Sequence, residues 1–460
     1  MSAILLIVVP LLAAFVSILF KKASSYILLI VSFASVVTLN YVPLEVINIG
    51  GFTAPYGINL VLDNYSLIGL YIVDSMFFLV IALNCIKFKK LSTILLVSLA
   101  GLNGLLLTGD LFNLFVFLEV SGIAAYLITT TNKKPLATFN YLVAGTVGSS
   151  LYLFGLIILY GMFGTLNMAD MANEIAISGV SANALAFPFL LMFIGLGVEA
   201  KLLPFNSWAK GILLSANKLT GPMIASVYAG ATLFVFGRIL TTLFIYSDQL
   251  VLVLSVILIV GIIAGETMAF SSKKIRGVLL YSSIAQASLI VMLFVLGITG
   301  WATMMIIVNI VSKFIMFSIA SHTNDVLGTD EIEDVQGMFL NNKTIGVAFT
   351  VAALNISGLP LFFGFIVKMN MLTDLFAKDG YFLAAVILIT SVIEGVYYMR
   401  LILKLWFTDK IAPKIKFEFS FQYVVTILAV LLIVFGLYAS PVIALNDEVE
   451  DTIVYEGGIQ

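Results

Sequence analysis

Nine ionisable side chains lie inside long apolar stretches of this sequence: Asp74, Glu119, Glu199, Lys201, Arg238, Glu266, Lys313, Lys368 and Glu394. An ionisable group within a membrane span is costly and is a functional candidate by default. A low-dielectric surrounding penalises the charged form of carboxyl and ammonium alike, so a file of such groups can take up protons and pass them on. A lysine paired with a carboxylate becomes a switchable charge, because neutralising one member releases the other. Other chemistries lack their residues. The single cysteine, Cys85, excludes a disulfide framework, a cysteine zinc site and an iron–sulfur cluster, and the single histidine, His322, excludes a multi-histidine metal or haem site. No Gly-x-Gly-x-x-Gly follows a strand and no phosphate loop occurs. The expectation is a chain with no cofactor and no metal of its own.

The elements that must position these groups follow from composition. The chain has 460 residues, 61% hydrophobic and 10% charged, with 23 Lys+Arg, 25 Asp+Glu and a net charge of −2. That excludes a soluble enzyme, a disordered chain and a nucleic-acid binder. The apolar runs are continuous, which excludes a membrane β-barrel. The fold class is an all-α polytopic membrane protein. About 14 transmembrane helices are expected, at 3–20, 24–42, 65–86, 91–109, 111–131, 136–163, 184–216, 219–246, 248–270, 275–297, 300–322, 341–376, 381–406 and 419–440. The run 3–20 lacks a basic leader and reads as the first span, not as a cleaved signal. Spans 7 and 12 are too long for one plain helix, and each holds a proline, Pro204 and Pro360. They read as broken helices, or singly as proline kinks.

Charge placement supports the count. Of the 23 Lys+Arg, four lie inside spans, eighteen (Lys410 among them) fall in or beside loops after odd-numbered spans, and only Lys378 lies on the other side. Positive loops stay cytoplasmic, so both termini are expected outside, in a multi-pass cell (plasma) membrane protein. The chain divides into spans 1–3 (1–90), spans 4–8 (91–246), spans 9–13 (247–407), and a last span with an external acidic tail (408–460). The two broken helices sit five spans apart. An odd offset inverts topology, so spans 4–8 and 9–13 would form two inverted five-helix repeats. The loop 43–64 could form a short hairpin, 168–177 a short interfacial helix, and 323–340 reads as an acidic solvated stretch. Asp74, Glu266 and Glu394 could equally bond neighbouring helices, and Glu199 projects from a different face than Lys201.

Several motifs together carry a family resemblance. They are Asp110 with Leu111–Tyr126, which includes Glu119; Lys201-Leu202-Leu203-Pro204-Phe205-Asn206-Ser207-Trp208; Tyr281-Ser282-Ser283-Ile284-Ala285-Gln286; Lys313-Phe314-Ile315-Met316-Phe317; Gly358-Leu359-Pro360; and Gly364-Phe365-Ile366-Val367-Lys368. From about Gly104 to Phe407 the chain resembles the antiporter-like proton-translocating membrane subunits. That family is shared by respiratory complex I, archaeal membrane-bound hydrogenase and sulfane sulfur reductase complexes, and multisubunit (Mrp-type) sodium/proton antiporters. Three positions depart from the family pattern: Asn206 and Asn309 stand where histidines are common, and Gly230 stands where a span-8 lysine is usual, eight residues before Arg238.

The resemblance implies a proton-translocating subunit of a multisubunit ion-pumping complex, moving protons through two half-channels. Glu119 and Lys201 would be the first coupled pair, Lys313 the central relay, and Lys368 the terminal residue of the second half-channel. Glu199, Arg238, Asp74, Glu266, Glu394, Asn206 and Asn309 are further candidates. Implied partners are other membrane subunits, small antiporter-like ones included, peripheral redox subunits that do the chemistry, and the lipid bilayer; no nucleic acid is expected. Two alternatives stay open: a sodium pathway using Asp74, Glu266 and Glu394, and a non-conducting scaffold whose relay is broken at Gly230.

Overall fold

In hydrocarbon every backbone N–H and C=O must find its partner inside the protein, which turns each apolar run into a helix. The computed structural model describes residues 2–84, 86–244, 247–409 and 411–457, with side chains through Glu450; Cys85 and Lys410 lie outside the described residues. The order is α1 (Leu5–Leu19), α2 (Ser24–Thr38), β1 (Glu45–Asn48), β2 (Asn59–Leu62), α3 (Asn64–Asn84), α4 (Ser92–Leu107), α5 (Leu111–Thr129), α6 (Pro135–Phe163), α7 (Met168–Ser178), α8 (Ala182–Glu199) and α9 (Ser207–Leu213). There follow the short turn α10 (Thr220–Pro222), a π-helical segment (Met223–Tyr228), α11 (Ala229–Thr242), α12 (Asp248–Ser271), α13 (Ile275–Val295) and α14 (Thr299–Leu327). Last come α15 (Lys343–Ser357), α16 (Phe363–Ala377), α17 (Tyr381–Trp406), α18 (Phe419–Leu437) and α19 (Ser440–Gly457).

Among the described residues, 12 helices are long and apolar enough to cross a membrane, and Leu5–Leu19 and Lys343–Ser357 are shorter apolar helices. The polar residues between the runs set the boundaries. Asp110 opens α5 by accepting from Asn113 N at 2.7 Å, and Pro135 supplies the first turn of α6. The most apolar stretches of α13 and α14 are 94% buried, against 28% for α18. These two helices are therefore the axis on which α11, α12, α15 and α16 pack. At the other end α4 carries α1, α2, α3 and α5.

Both long runs are interrupted. The first is α8, an irregular stretch from Ala200 to Asn206 that includes Pro204, and α9; the second is α15, an irregular stretch from Gly358 to Phe362 that includes Pro360, and α16. The stretch 43–64 forms an antiparallel hairpin with Glu45 opposite Leu62, and 168–177 lies in helix α7.

Three surface features make specific contacts. The acidic tail lies in α19, where Val442, Asn446 and Val449 recur at helical spacing and are buried, and Asn446 and Glu450 crowd Gly300 on α14. The 323–340 stretch is not simply solvated. Asp330 is buried and pairs with Arg276 at 2.8 Å, because Arg276 also donates to Ala216 O at 2.7 Å and would otherwise be a buried, unbalanced cation. Lys378 is exposed, and its Nζ donates to Leu296 O and Gly297 O, both at 2.9 Å, capping the end of α13.

Candidate functional site

Four of the intramembrane ions meet around α13. Lys313 on α14 is buried, and its Nζ donates to Ser282 Oγ at 2.7 Å, Tyr398 OH at 3.0 Å and Leu279 O at 3.4 Å. Tyr398 in turn donates to Ser282 Oγ at 2.9 Å. One turn along each helix the pattern repeats. Gln286 on α13 donates to Glu394 Oε1 on α17 at 2.7 Å, and Lys368 on α16 donates to Glu394 Oε2 at 2.6 Å. Ser282 and Gln286 are four residues apart on α13, as are Glu394 and Tyr398 on α17, so each helix shows one face to the same polar ladder. Lys368 and Glu394 form a buried ion pair, with side chains 8% and 1% exposed. Glu266 on α12 is buried in electrostatic reach of Glu394, Lys368 and Lys313, with Oε2 unpartnered among the described residues.

The break in the second half shapes this cluster. Gly358 ends α15 at φ 73, a left-handed conformation that favours glycine. A Cβ there would stand 2.6 Å from Lys368 Cδ, so the missing side chain also leaves room for the lysine. Asn355 straps the two half-helices together: its Oδ1 accepts from Gly364 N at 2.8 Å, while its Nδ2 donates to Ser312 Oγ beside Lys313 at 2.9 Å.

The first half is built differently. Lys201 follows the end of α8 in a left-handed conformation, φ 62, and is buried, yet its Nζ has no hydrogen-bond partner among the described residues. Trp208 ties the break together by donating to Val198 O at 2.9 Å. Glu199, half-buried, does not bond Lys201. Its Oε1 and the Tyr126 hydroxyl crowd Gly145 on α6, where a Cβ would lie 2.9 Å and 1.8 Å from them. Glu119, also half-buried on α5, faces this Glu199–Tyr126 group. Among the described residues no hydrogen bond joins Glu119 to Lys201; the ionisable group that bears on Glu119 is the other carboxylate, Glu199, at the end of α8.

Between the two halves lies a small cavity of about 20 Å³, enough for about one water. Lys201, Lys313, Asn309 and Gly230 all line it. Asn309 spends its Nδ2 on Met305 O, 3.1 Å away, within its own helix. Gly230 is on the cavity wall, but a Cβ there would meet Ile310 Cδ1 at 2.2 Å.

The remaining candidates lie apart. Arg238 is held at the edge of the bundle by Asp63, with Nη1 2.5 Å from Oδ2 and Nη2 2.8 Å from Oδ1, and stacks over Tyr65. Burial raises the Asp63 pKa, but the Arg238 charge and the bonds from Arg238 and Ser66 outweigh it, holding the carboxyl at about 2. Asp74 sits among α1, α2 and α4, so it does not converge with Glu266 and Glu394 into one sodium site. Asn206 is half-buried at the start of α9, and its side chain does not cap that helix.

A family profile described as NADH:quinone oxidoreductase/Mrp antiporter, transmembrane, matches residues 108–394, from the end of α4 to Glu394. The chain belongs to this family. It is 30% identical to NADH-quinone oxidoreductase subunit N of Desulforudis audaxviator, over 77% of this chain and 74% of that one. It is 25% identical to a Na(+)/H(+) antiporter subunit of Bacillus subtilis, over 98% and 97%. Its fold matches a chain of the membrane-bound sulfane sulfur reductase, an archaeal respiratory membrane complex, with TM-score 0.91 and 28% identity over 98% and 97% of the two chains.

Ser98, Tyr126, Tyr228, Tyr397 and Tyr398 were not among the candidates drawn from charge. Tyr228 and Ser98 share a 2.6 Å hydrogen bond. Uncharged hydroxyls give no signal in an apolar sequence, although the four-residue spacing of Glu394 and Tyr398 could have shown that pair.

Proposed function

We propose that this chain is a proton-translocating, antiporter-like subunit of a multisubunit membrane ion-pumping complex, and that protons cross it through two half-channels joined at Lys313. The observation that carries this reading is the buried ladder from Lys313 through Ser282 and Tyr398 to Gln286, Glu394 and Lys368, with the Lys201–Lys313 cavity at its near end. Hydrogen-bonded hydroxyls and carboxylates conduct protons, whereas a hard cation such as sodium needs several converging oxygens, and Glu394 already spends both of its oxygens on Lys368 and Gln286. In this reading Lys201 is a charge without a fixed partner that repels or releases Lys313 across the cavity. Glu119 and Glu199 share the proton on the first side, and Glu266 adds charge to the second.

Work comes from other chains, with membrane subunits alongside and redox or exchange chemistry outside this one. The bias of Lys and Arg to loops after odd-numbered spans supports an orientation with both termini outside a cell membrane. The test is Lys313→Met in the assembled complex, with proton uptake followed in inverted membrane vesicles. Uptake should fall at least tenfold while assembly persists; uptake at the wild-type rate in an assembled variant would overturn the reading.

A further inference from the structure

The N-terminal bundle contains a buried carboxyl that the relay does not use. Asp74 on α3 is fully buried. Ser35 on α2 donates to its Oδ2 at 2.5 Å, and Asn103 on α4 donates to the same oxygen at 3.4 Å. The other oxygen, Oδ1, has no partner among the described residues; neither has Oδ1 of Asn103, also fully buried. The fourth wall is backbone. Pro10 lies inside α1, and with no N–H of its own it cannot bond the carbonyl one turn back, that of Leu6. Asn103 Nδ2 takes this place, 3.0 Å from Leu6 O, and also donates to Ser35 Oγ at 3.2 Å. One freed carbonyl of α1 and three side chains, from α2, α3 and α4, thus build a polar site within apolar surroundings.

Among the described residues no cation balances it. Helices α1, α2 and α4 carry no charged side chain. Of the groups on other elements packed against α3, Arg238 is held by Asp63, Lys313 by Ser282 and Tyr398, and Tyr228 by Ser98. On α14, His322 bonds Lys416 O and Asp325 accepts from Lys218 N; on α19, whose acids include Asp447, Glu448 and Glu450, Asp447 accepts from Asn446 and Glu450 lies at Gly300. Among the described residues, Ser35 and Asn103 are the polar side chains that bear on Asp74.

An ionised carboxylate with no cation and an unfilled oxygen is a costly thing to bury, whereas a neutral carboxyl both loses the charge and gains a donor. Asn103 Oδ1 is the buried acceptor left without one. We propose that Asp74, Asn103, Ser35 and the freed Leu6 carbonyl form a proton-binding site, separate from the Lys313 ladder and outside the 108–394 region of the family match. One proton from water adds to Asp74 and returns to water on release; no other bond changes. Because it shares no residue with the relay, the site stands whether or not the relay reading does.

The test is infrared spectroscopy of the intact purified complex at neutral pH, in H2O and in D2O. The expected result is a carboxylic-acid C=O band that shifts in D2O, is missing in Asp74→Asn and persists in Lys368→Met. If Asp74→Asn does not assemble, Ser35→Ala decides: losing the donor to Oδ2 should move the same band to higher frequency. The site is overturned if the band is unchanged in Asp74→Asn, if it is unmoved in Ser35→Ala, or if sodium chloride, but not choline chloride, stabilises the wild type in an Asp74-dependent way, since that result assigns the oxygens to a metal cation.

Discussion

The two broken helices carry one buried lysine each, and the structure treats these two lysines in opposite ways. Lys368 ends in a 2.6 Å ion pair with Glu394, whose other oxygen is taken by Gln286. Lys201 ends in a buried position with no partner among the described residues. The first half keeps its own ion pair elsewhere, at the edge of the bundle, between Arg238 and Asp63. A paired charge is stable and needs a signal to separate; an unpaired one is costly and ready to change state. Lysines beside two broken helices therefore need not do the same job.

The comparison predicts unequal losses of stability. Lys368→Met should be the most damaging, because it leaves Glu394 as a buried charge without its cation, at about 3–5 kcal/mol. Thermal unfolding of the purified complex checks this, and Lys368→Met with Glu394→Gln should recover most of the loss without recovering proton uptake. Equal unfolding temperatures for the single variant and the wild type would mean that the pair is not formed.

Asp63→Asn comes next. The carboxyl held at about 2, against 3.8 ordinarily, corresponds to about 2 kcal/mol of stability. The depressed value means that this contribution is fully present above about pH 4 and is lost as pH falls towards 2. Acid titration of unfolding should show that slope in the wild type and not in Asp63→Asn.

Gly230→Ala probes the junction of the halves. Its methyl must displace Ile310 Cδ1, a flexible side-chain end, at about 1 kcal/mol. It also narrows the Lys201–Lys313 cavity, so proton uptake should fall several-fold. Unchanged uptake would favour the scaffold alternative, in which nothing passes this point.

Lys201→Met should have the smallest effect on stability, within about 0.5 kcal/mol or in the stabilising direction, since no described group loses a partner. Uptake should nevertheless be lost. A destabilisation as large as that of Lys368→Met would erase the contrast between the halves.

Much of this organisation is local and could be read from the chain. A run of about 20 apolar residues has no alternative to a helix in a membrane, and a proline inside an overlong run cannot continue the ladder of backbone bonds, so the helical membrane fold and the interruptions near Pro204 and Pro360 follow from composition and spacing. The nine intramembrane ions could be named in the same way, because charge is conspicuous in an apolar sequence. Their partners could not. Lys368 meets Glu394 across 26 residues and Arg238 meets Asp63 across 175, and nothing in either spacing distinguishes these pairs from Glu119 with Lys201, which are not bonded. Partner choice depends on which helix faces touch and on hydroxyls and amides such as Tyr398, Ser282 and Gln286 that carry no charge to mark them. Within a bilayer every polar group takes whichever neighbour the packing provides, so only the tertiary structure decides which lysine is paired and which is left alone.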